Sequence, residues 1–404
     1  MAEPLWTADE IVAATGGQLA GRPFTATGVS IDTRTIEPGD LFVALGGARD
    51  GHEFVETAMA GGAAGVLASR QVFGSAVMVD DTLQALERMG VAARQRAPKA
   101  RRGAVTGSVG KTSVTQAIMA GLTLAGRAHS SVKSYNNHIG VPLTLARMPR
   151  DTERAVFEIG MNHADEIRPL TGMVRPHAVV VTNVGPVHTE NFQDGETGVA
   201  KAKAEIFEGL EPGGVAVLDA DSKWFGLLSE AAGKAGAEIR TFGRGEGCDA
   251  RLIDFQLAHS GEGADHAVVQ ARFHGKGLDF PILQTGAHWG LNAMAVLLML
   301  EALDVDLGDS LAALGSFEPL EGRGAETAIR LPGGGFTLID ESFNANPLSM
   351  AAGSPPWARA RRPDAGSRPS PTCWSWAPKP AASTPRSPSR WRPPTSIWCS
   401  WPGL

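Results

Sequence analysis

Residues 104–113 read AVTGSVGKTS: an apolar run breaks into glycines, a lysine and two hydroxyl residues, and an amphipathic stretch follows. A strand feeding a tight loop feeding a helix satisfies that order. The apolar run buries, the glycines turn the backbone, and the helix begins with its first amides unpaired. Gly107 and Gly110 let backbone N–H groups point at phosphate oxygens, and the positive end of the helix dipole adds attraction. Lys111 is spaced to reach terminal phosphates, and the Thr112 hydroxyl to ligate magnesium. Thr106, Ser108, Val109 and Ser113 complete the candidate nucleotide loop. The general pattern G-x-x-x-x-G-K-[ST] asks for glycine at 105, where Val105 stands, so the loop is a variant.

The chain around this loop alternates short apolar runs with amphipathic stretches. Predicted strands are GDLFVAL (39–45), AGVLAS (64–69), RGAVTG (102–107), RAVFEIG (154–160), HAVVVTNVG (177–185) and GVAVLDA (214–220). Predicted helices cover 81–97, with an acidic start and a basic end, 111–125 and 198–210. This rhythm predicts an α/β fold: a small α/β unit over residues 1–100, then a central, doubly wound phosphate-loop unit over 101–322. Residues 323–350 read as a hinge and the start of a third, Rossmann-like unit, with LPGGG as the linker feeding a strand FTLIDES (336–342).

Residues 351–404 have a different character. They hold 12 of the 26 prolines and six of the nine tryptophans, with one Leu, one Ile and no Val, Met or Phe. Such a stretch cannot bury enough apolar surface to offset chain entropy, so it is expected to be disordered. Re-read in another frame with GC-rich codons, SIWCSWPG becomes Leu-Val-Phe-Leu-Ala-Gly and CWSW becomes Leu-Val-Leu-Gly. Both strings look like buried parallel strands, so a frameshift is expected near codon 350. A Trp/Arg-rich interaction tail is the other reading.

Charge narrows the function classes. The first 350 residues carry 29 Lys and Arg against 42 Asp and Glu, an acidic body that argues against duplex nucleic acid. No apolar run is long enough to span a membrane, and MAEPLWTADE lacks the pattern of a secretory signal. Cys248, Cys373 and Cys399 form neither a disulfide framework nor a metal-ligand pair. A cytoplasmic enzyme is expected.

Several segments resemble one family, in the family's own order. TGSVGKTS is similar to the variant loop of the Mur ligases and their folylpolyglutamate synthetase relatives. SIDTRTIEPGDLFVALGG (30–47) and DGHEF (50–54) resemble the uridine-nucleotide-binding domain that two Mur branches share. YNNHIGVPLTL (135–145), FEIGMNHADEI (157–167), TNVGPVHTENF (182–192) and AKAKAEIF (200–207) follow. GAHWGLN (286–292), EGRGAE (321–326) and IDESFNANPLSM (339–350) complete a resemblance that covers about residues 28–350.

The resemblance implies Mur ligase architecture and an ATP-dependent amide ligation in peptidoglycan synthesis. IDESFNANP favours the branch that adds D-alanyl-D-alanine to UDP-N-acetylmuramoyl-tripeptide through an acyl phosphate, working as a monomer. The alternatives are the branch that adds a diamino acid one step earlier, and a truncated nucleotide-binding protein without ligase activity.

On residue type alone Glu158 is a glutamate at a strand end, His188 a loop histidine, and Lys203 one of two helix lysines with Lys201. The resemblance makes Lys111, Glu158, His188 and Lys203 catalytic. It makes Thr112 and Glu158 ligands of one Mg2+, and His188 with a carbamate on Lys203 ligands of a second. Asn292, which alone reads as a helix cap, would lie near the adenine. Arg323 and Asp340 would face the nucleotide, and Thr33, Arg34, Asp50 and His52 the uridine nucleotide.

Overall fold

The computed structural model describes residues 4–343, apart from 48, 133, 259–265, 332–333 and 341. The expected disordered stretch 351–404 and most of the SFNANP segment lie outside the described residues.

The N-terminal unit runs β1 (Trp6–Thr7), α1 (Ala8–Thr15), β2 (Gln18–Ala20), β3 (Thr25–Ala26), β4 (Gly28–Ser30) and β5 (Asp40–Val43). It continues with α2 (Val55–Ala60), β6 (Gly65–Ala68), β7 (Ala76–Met78) and α3 (Thr82–Arg96). Its five-stranded sheet has the order β2-β7-β6-β5-β4, parallel except for β2. α3 starts where the sequence indicates: the Asp81 side chain accepts the N–H groups of Leu83 and Gln84, and Arg94 and Arg96 occupy the last turn.

The central unit opens with β8 (Arg101–Thr106), α4 (Lys111–Ala125), β9 (Ala128–Ser130), α5 (Gly140–Ala146) and β10 (Arg154–Glu158). α6 (Ile167–Val174), β11 (Ala178–Val181), α7 (Glu196–Ala204), β12 (Val215–Asp219), α8 (Phe225–Lys234) and β13 (Glu238–Gly243) follow. β14 (Ala250–Ala258), β15 (His266–Phe273), β16 (Lys276–Ile282), α9 (His288–Ala302) and α10 (Leu307–Ser316) complete it. The nine strands lie in the order β16-β15-β14-β13-β12-β11-β8-β10-β9. β8 through β14 run parallel; β15 pairs antiparallel with β14, and β16 antiparallel with β15. The sequence reading missed this antiparallel end, although β15 alternates inward and outward along its length.

Successive residues of the central strands feed opposite faces, as the pleat requires. Val105, Val156 and Val180 pack with Ile118, Leu122 and Leu298 on one side. Ala104, Phe157 and Val181 pack with Val199 and Phe207 on the other. α9 is buried along its whole middle, Ala293 through Leu300, which explains why its sequence shows no polar stripe. The two units are tied together where the Trp6 indole N–H donates to the Ala146 carbonyl at 2.8 Å and Arg147 Nε donates to the Val29 carbonyl at 2.7 Å.

Two expectations change. The predicted helix 198–210 starts at Glu196 and stays α-helical only to Ala204, after which Glu205–Gly209 tightens into a 3-10 turn. There the Glu205 carboxylate turns away to accept the N–H groups of Asp165 and Arg168 at the start of α6. LPGGG does not separate two units: β17 (Ala325–Leu331) and β18 (Gly334–Asp340), on either side of it, pair antiparallel with Leu331 opposite Gly334. Among the described residues no helix is long and apolar enough to cross a membrane.

Candidate active site

β8 lies between β10 and β11, with Glu158 beside Val105 and Val181 beside Thr106. The chain leaves β8 toward β9 and β10 and then crosses to β11. The loop after β8 therefore sits at a topological switch point, where parallel sheets place ligands. Gly107 takes φ 153°, and a Cβ there would lie 1.9 Å from Thr182 Oγ1, so only glycine fits. Gly110 takes φ 82° and opens α4, whose first-turn amides have no partner within the helix.

The neighbouring strand end clamps this loop. Ser108 N–H donates to the Asn183 carbonyl at 3.0 Å, and Val109 N–H to Asn183 Oδ1 at 3.0 Å. Asn183 Nδ2 and Thr182 Oγ1 both donate to the Val109 carbonyl, at 3.1 and 2.7 Å. Ser108 Oγ and Gly185 exchange two bonds, at 3.0 and 3.2 Å. These contacts shorten β11 relative to the predicted strand 177–185, because residues 182–185 bond to the loop instead of continuing the ladder.

Glu158 ends β10 beneath the loop, 1% exposed. Its Oε2 accepts the Thr112 hydroxyl at 2.6 Å, its Oε1 the Asn136 amide at 2.6 Å, and its own N–H donates to Ser131 Oγ. Thr112 Oγ1 also lies 3.0 Å from Ser134 Oγ, and Arg323 Nη2 donates to Ser134 at 3.2 Å. Lys111 Nζ folds back onto the Gly107 carbonyl at 2.9 Å. Burial lowers the Lys111 pKa; Glu158 opposes that shift and Arg323 adds to it.

α7 resolves the two lysines that sequence left ambiguous. Lys201 is exposed and paired with Asp194 at 2.8 Å. Lys203 is 3% exposed, and no carboxylate pairs with it among the described residues. Burial pushes its pKa well below the usual lysine range, and the nearby Lys111 pushes it further. A buried amine held toward its neutral form is a nucleophile, the state that reacts with carbon dioxide. His188 sits at φ 63°, close enough to Lys111 and Lys203 to feel both charges. Its pKa is lowered by burial first; Glu190 and Glu166 oppose, while Lys111 and Lys203 reinforce. Lys111, Glu158, His188 and Lys203 thus share one neighbourhood.

The remaining nucleotide residues divide. Asn292 is not the cap of α9, which starts at His288 after Ala287; it lies one turn in, 3.8 Å from where a Gly110 Cβ would stand. Arg323 reaches Ser134 and stacks over the Phe343 ring at 3.9 Å. Asp340 accepts the N–H groups of Gly322 and Ser342, the first bracing the turn that carries Arg323. The hydrogen bonds of Ser342 and Gly322 hold its carboxyl below the usual range, against the opposing effect of burial.

Thr33 and Arg34 follow β4, and Asp50 and His52 follow β5, past the carboxyl ends of two neighbouring parallel strands. Arg34 is 74% exposed and paired with Asp32 at 2.7 Å. His52 is spent internally: Nε2 accepts the Ser69 N–H at 3.0 Å, so Nδ1 carries the proton that meets Asp50 Oδ1 at 2.6 Å. The other Asp50 oxygen pairs with the exposed Arg70 at 2.9 Å. Sequence reasoning missed Ser134, Asn136, Asn183 and Arg70; two of them stood inside quoted segments, YNNHIG and TNVG, without a role.

The comparisons with known proteins match this geometry. The Mur ligase middle domain matches residues 105–300, and the Mur ligase family catalytic domain matches residues 25–100. The UDP-N-acetylmuramoyl-tripeptide--D-alanyl-D-alanine ligase of Bacillus subtilis is 36% identical over 349 residues, covering 83% of this chain and 72% of that one. The ligase of the same name from Rickettsia prowazekii is 31% identical over 329 residues, covering 80% and 71%. The crystal structure of MurF from Acinetobacter baumannii superposes with a TM-score of 0.75 at 29% identity, covering 87% of this chain and 76% of that one. With the phosphate loop and its buried glutamate in place beside a small N-terminal α/β unit, this chain belongs to the Mur ligase family, in its MurF branch.

Proposed function

We propose that this chain is the ATP-dependent ligase that joins D-alanyl-D-alanine to UDP-N-acetylmuramoyl-tripeptide, as its relatives' names describe. The observation that carries the reading is the Thr112–Glu158 contact of 2.6 Å directly under the phosphate loop, with Lys111, His188 and Lys203 around it. The α4 amides, Lys111 and Arg323 bind the ATP phosphates and orient the terminal one. The tripeptide carboxylate attacks its phosphorus, ADP leaves, and an acyl phosphate forms. The dipeptide amine then attacks the acyl carbon and gives up one proton to solvent, an amide forms and inorganic phosphate departs.

Thr112 and Glu158 present oxygen donors that suit Mg2+. Among the described residues no three His, Cys, Asp or Glu side chains cluster as a metal cage, so the ion would take its other ligands from phosphate and water. A bound ion there would neutralise the charge of two anions brought together. His188 and Lys203 fit a second site only with a carbamate on Lys203, because an ammonium has no lone pair to give. The amine and carbon dioxide form that carbamate with loss of one proton. Asn292 and Asp340 would contact the adenosine, and Thr33, Arg34 and Asp50 the uridine nucleotide; His52 holds Asp50 rather than touching substrate. Cytoplasmic action as a monomer belongs to the same reading.

A second reading, binding without ligation, is favoured by the composition of residues 351–404. ADP release by the full chain separates the two. The proposal expects release that needs tripeptide precursor and dipeptide together. Precursor and nucleotide binding with no release establishes the second reading, and release on adding a diamino acid to the shorter precursor points to the neighbouring branch.

A further inference from the structure

We infer that Asn183 is a positioning residue that sets the phosphate loop and the His188 segment as one rigid piece; the inference rests on ATP binding at this loop. Val109 belongs to the candidate nucleotide loop, yet its N–H and its carbonyl are both occupied, the first by Asn183 Oδ1 and the second by Asn183 Nδ2 and Thr182 Oγ1. A half-buried amide already satisfied gains little from a phosphate, so the anion cradle shifts to the first-turn amides of α4. Val109 is therefore a strut and not a ligand.

One amide side chain can do this because it offers a donor and an acceptor in one plane, matching a backbone N–H and C=O. The loop lacks the glycine at 105 that would let it wrap further around phosphate, and the partner strand supplies the support instead. Ser108 and Gly185 close a second reciprocal pair two residues further on. His188 follows after three residues in the left-handed region, so its placement starts from the same anchor. Asn183 consequently links the group that grips phosphate to the segment that carries His188.

The test compares wild type with Asn183→Ala and Asn183→Asp. ADP affinity is read by calorimetry, and ligation by separate KM values for ATP, precursor and dipeptide. Asn183→Ala should weaken ADP about 10-fold, the scale of one or two lost hydrogen bonds. Asn183→Asp should weaken it more, since a carboxylate oxygen replaces the N–H that meets the Val109 carbonyl. KM for ATP should rise and kcat fall, with the precursor and dipeptide KM values within about twofold and the melting temperature little changed. Thr182→Val, which removes one of the two bonds to the Val109 carbonyl, should move ADP affinity in the same direction by less, and it carries the test if the Asn183 variants misfold. ADP affinity within twofold of wild type in the Asn183 variants, or a uniform loss that follows the melting temperature, overturns the inference. Tight ADP binding by wild type without ligation would defeat the proposed activity but leave this test readable.

Discussion

At the carboxyl ends of β8, β10 and β11 the chain buries its chemistry: Glu158 and Lys203 are almost sealed, and the loop above them is held by paired side chains from the next strand. At the carboxyl ends of β4, β5 and β6 the groups are instead surface ion pairs, Arg34 with Asp32 and Arg70 with Asp50. Both are the ligand ends of parallel sheets. The difference fits the tasks proposed for the two ends. Transferring a phosphoryl group needs fixed charges in a dry site, where they act strongly and do not reorganise. Holding a nucleotide handle needs only modest, exchangeable attraction in water.

The comparison breaks first if the buried end is dispensable. Lys111→Met or Glu158→Gln should lower kcat/KM for ligation on the order of 10³-fold, measured by ADP release. Lys203→Met should cost roughly 10²-fold, while in buffer free of carbon dioxide the melting temperature holds or rises, because there an unpaired buried amine is removed. Lys201→Met, on the opposite face of α7 and ion-paired in solvent, should stay within about twofold. Equal losses at the two lysines would erase the distinction between the buried and exposed positions.

At the exposed end, Arg34→Ala should raise KM for the UDP precursor about 10-fold or less and leave kcat alone, with the wild-type KM rising as salt increases. A fall in kcat there would mean that the N-terminal edge does more than hold a handle.

The smallest effect concerns acid stability, and it again separates the regions. Burial, followed by the charges of Arg102 and Arg101, holds His177 at about 4; burial outweighs the Thr144 carbonyl bond and brings His129 to about 4. Both lie in the central unit. Each folded pKa is below the unfolded value of about 6.5, so their contribution to stability is complete above that value and is lost as pH falls toward 4. The melting temperature should therefore drop by some degrees between pH 7 and pH 4.5, and His129→Phe should flatten part of that slope. An unchanged slope would show that these histidines are not what acid attacks.

Much of this was legible in sequence where a local pattern carries its own physics. The loop 104–113, α3 and α4 needed only glycine geometry, caps and periodicity, and Glu158 could be placed because a strand end fixes its position. The antiparallel strands β15 and β16 and the pairing of β17 with β18 were missed, because pairing direction depends on partners distant in sequence. Lys203 could not be told from Lys201 by residue type: both sit on one helix, and only the packing of α7 decides which is buried. Asn183 was invisible for the opposite reason, since its partners are backbone atoms of Val109 that any residue there would supply.

Isotope transfer tests the central claim most directly. The tripeptide precursor is prepared with 18O in its terminal carboxylate and incubated with ATP, D-alanyl-D-alanine and the full chain, and the inorganic phosphate is analysed by mass spectrometry. Ligation through an acyl phosphate at this site predicts one 18O in each phosphate released, alongside an equal amount of new amide. Phosphate released without label would mean that water, and not the carboxylate, attacks ATP, and would contradict the account.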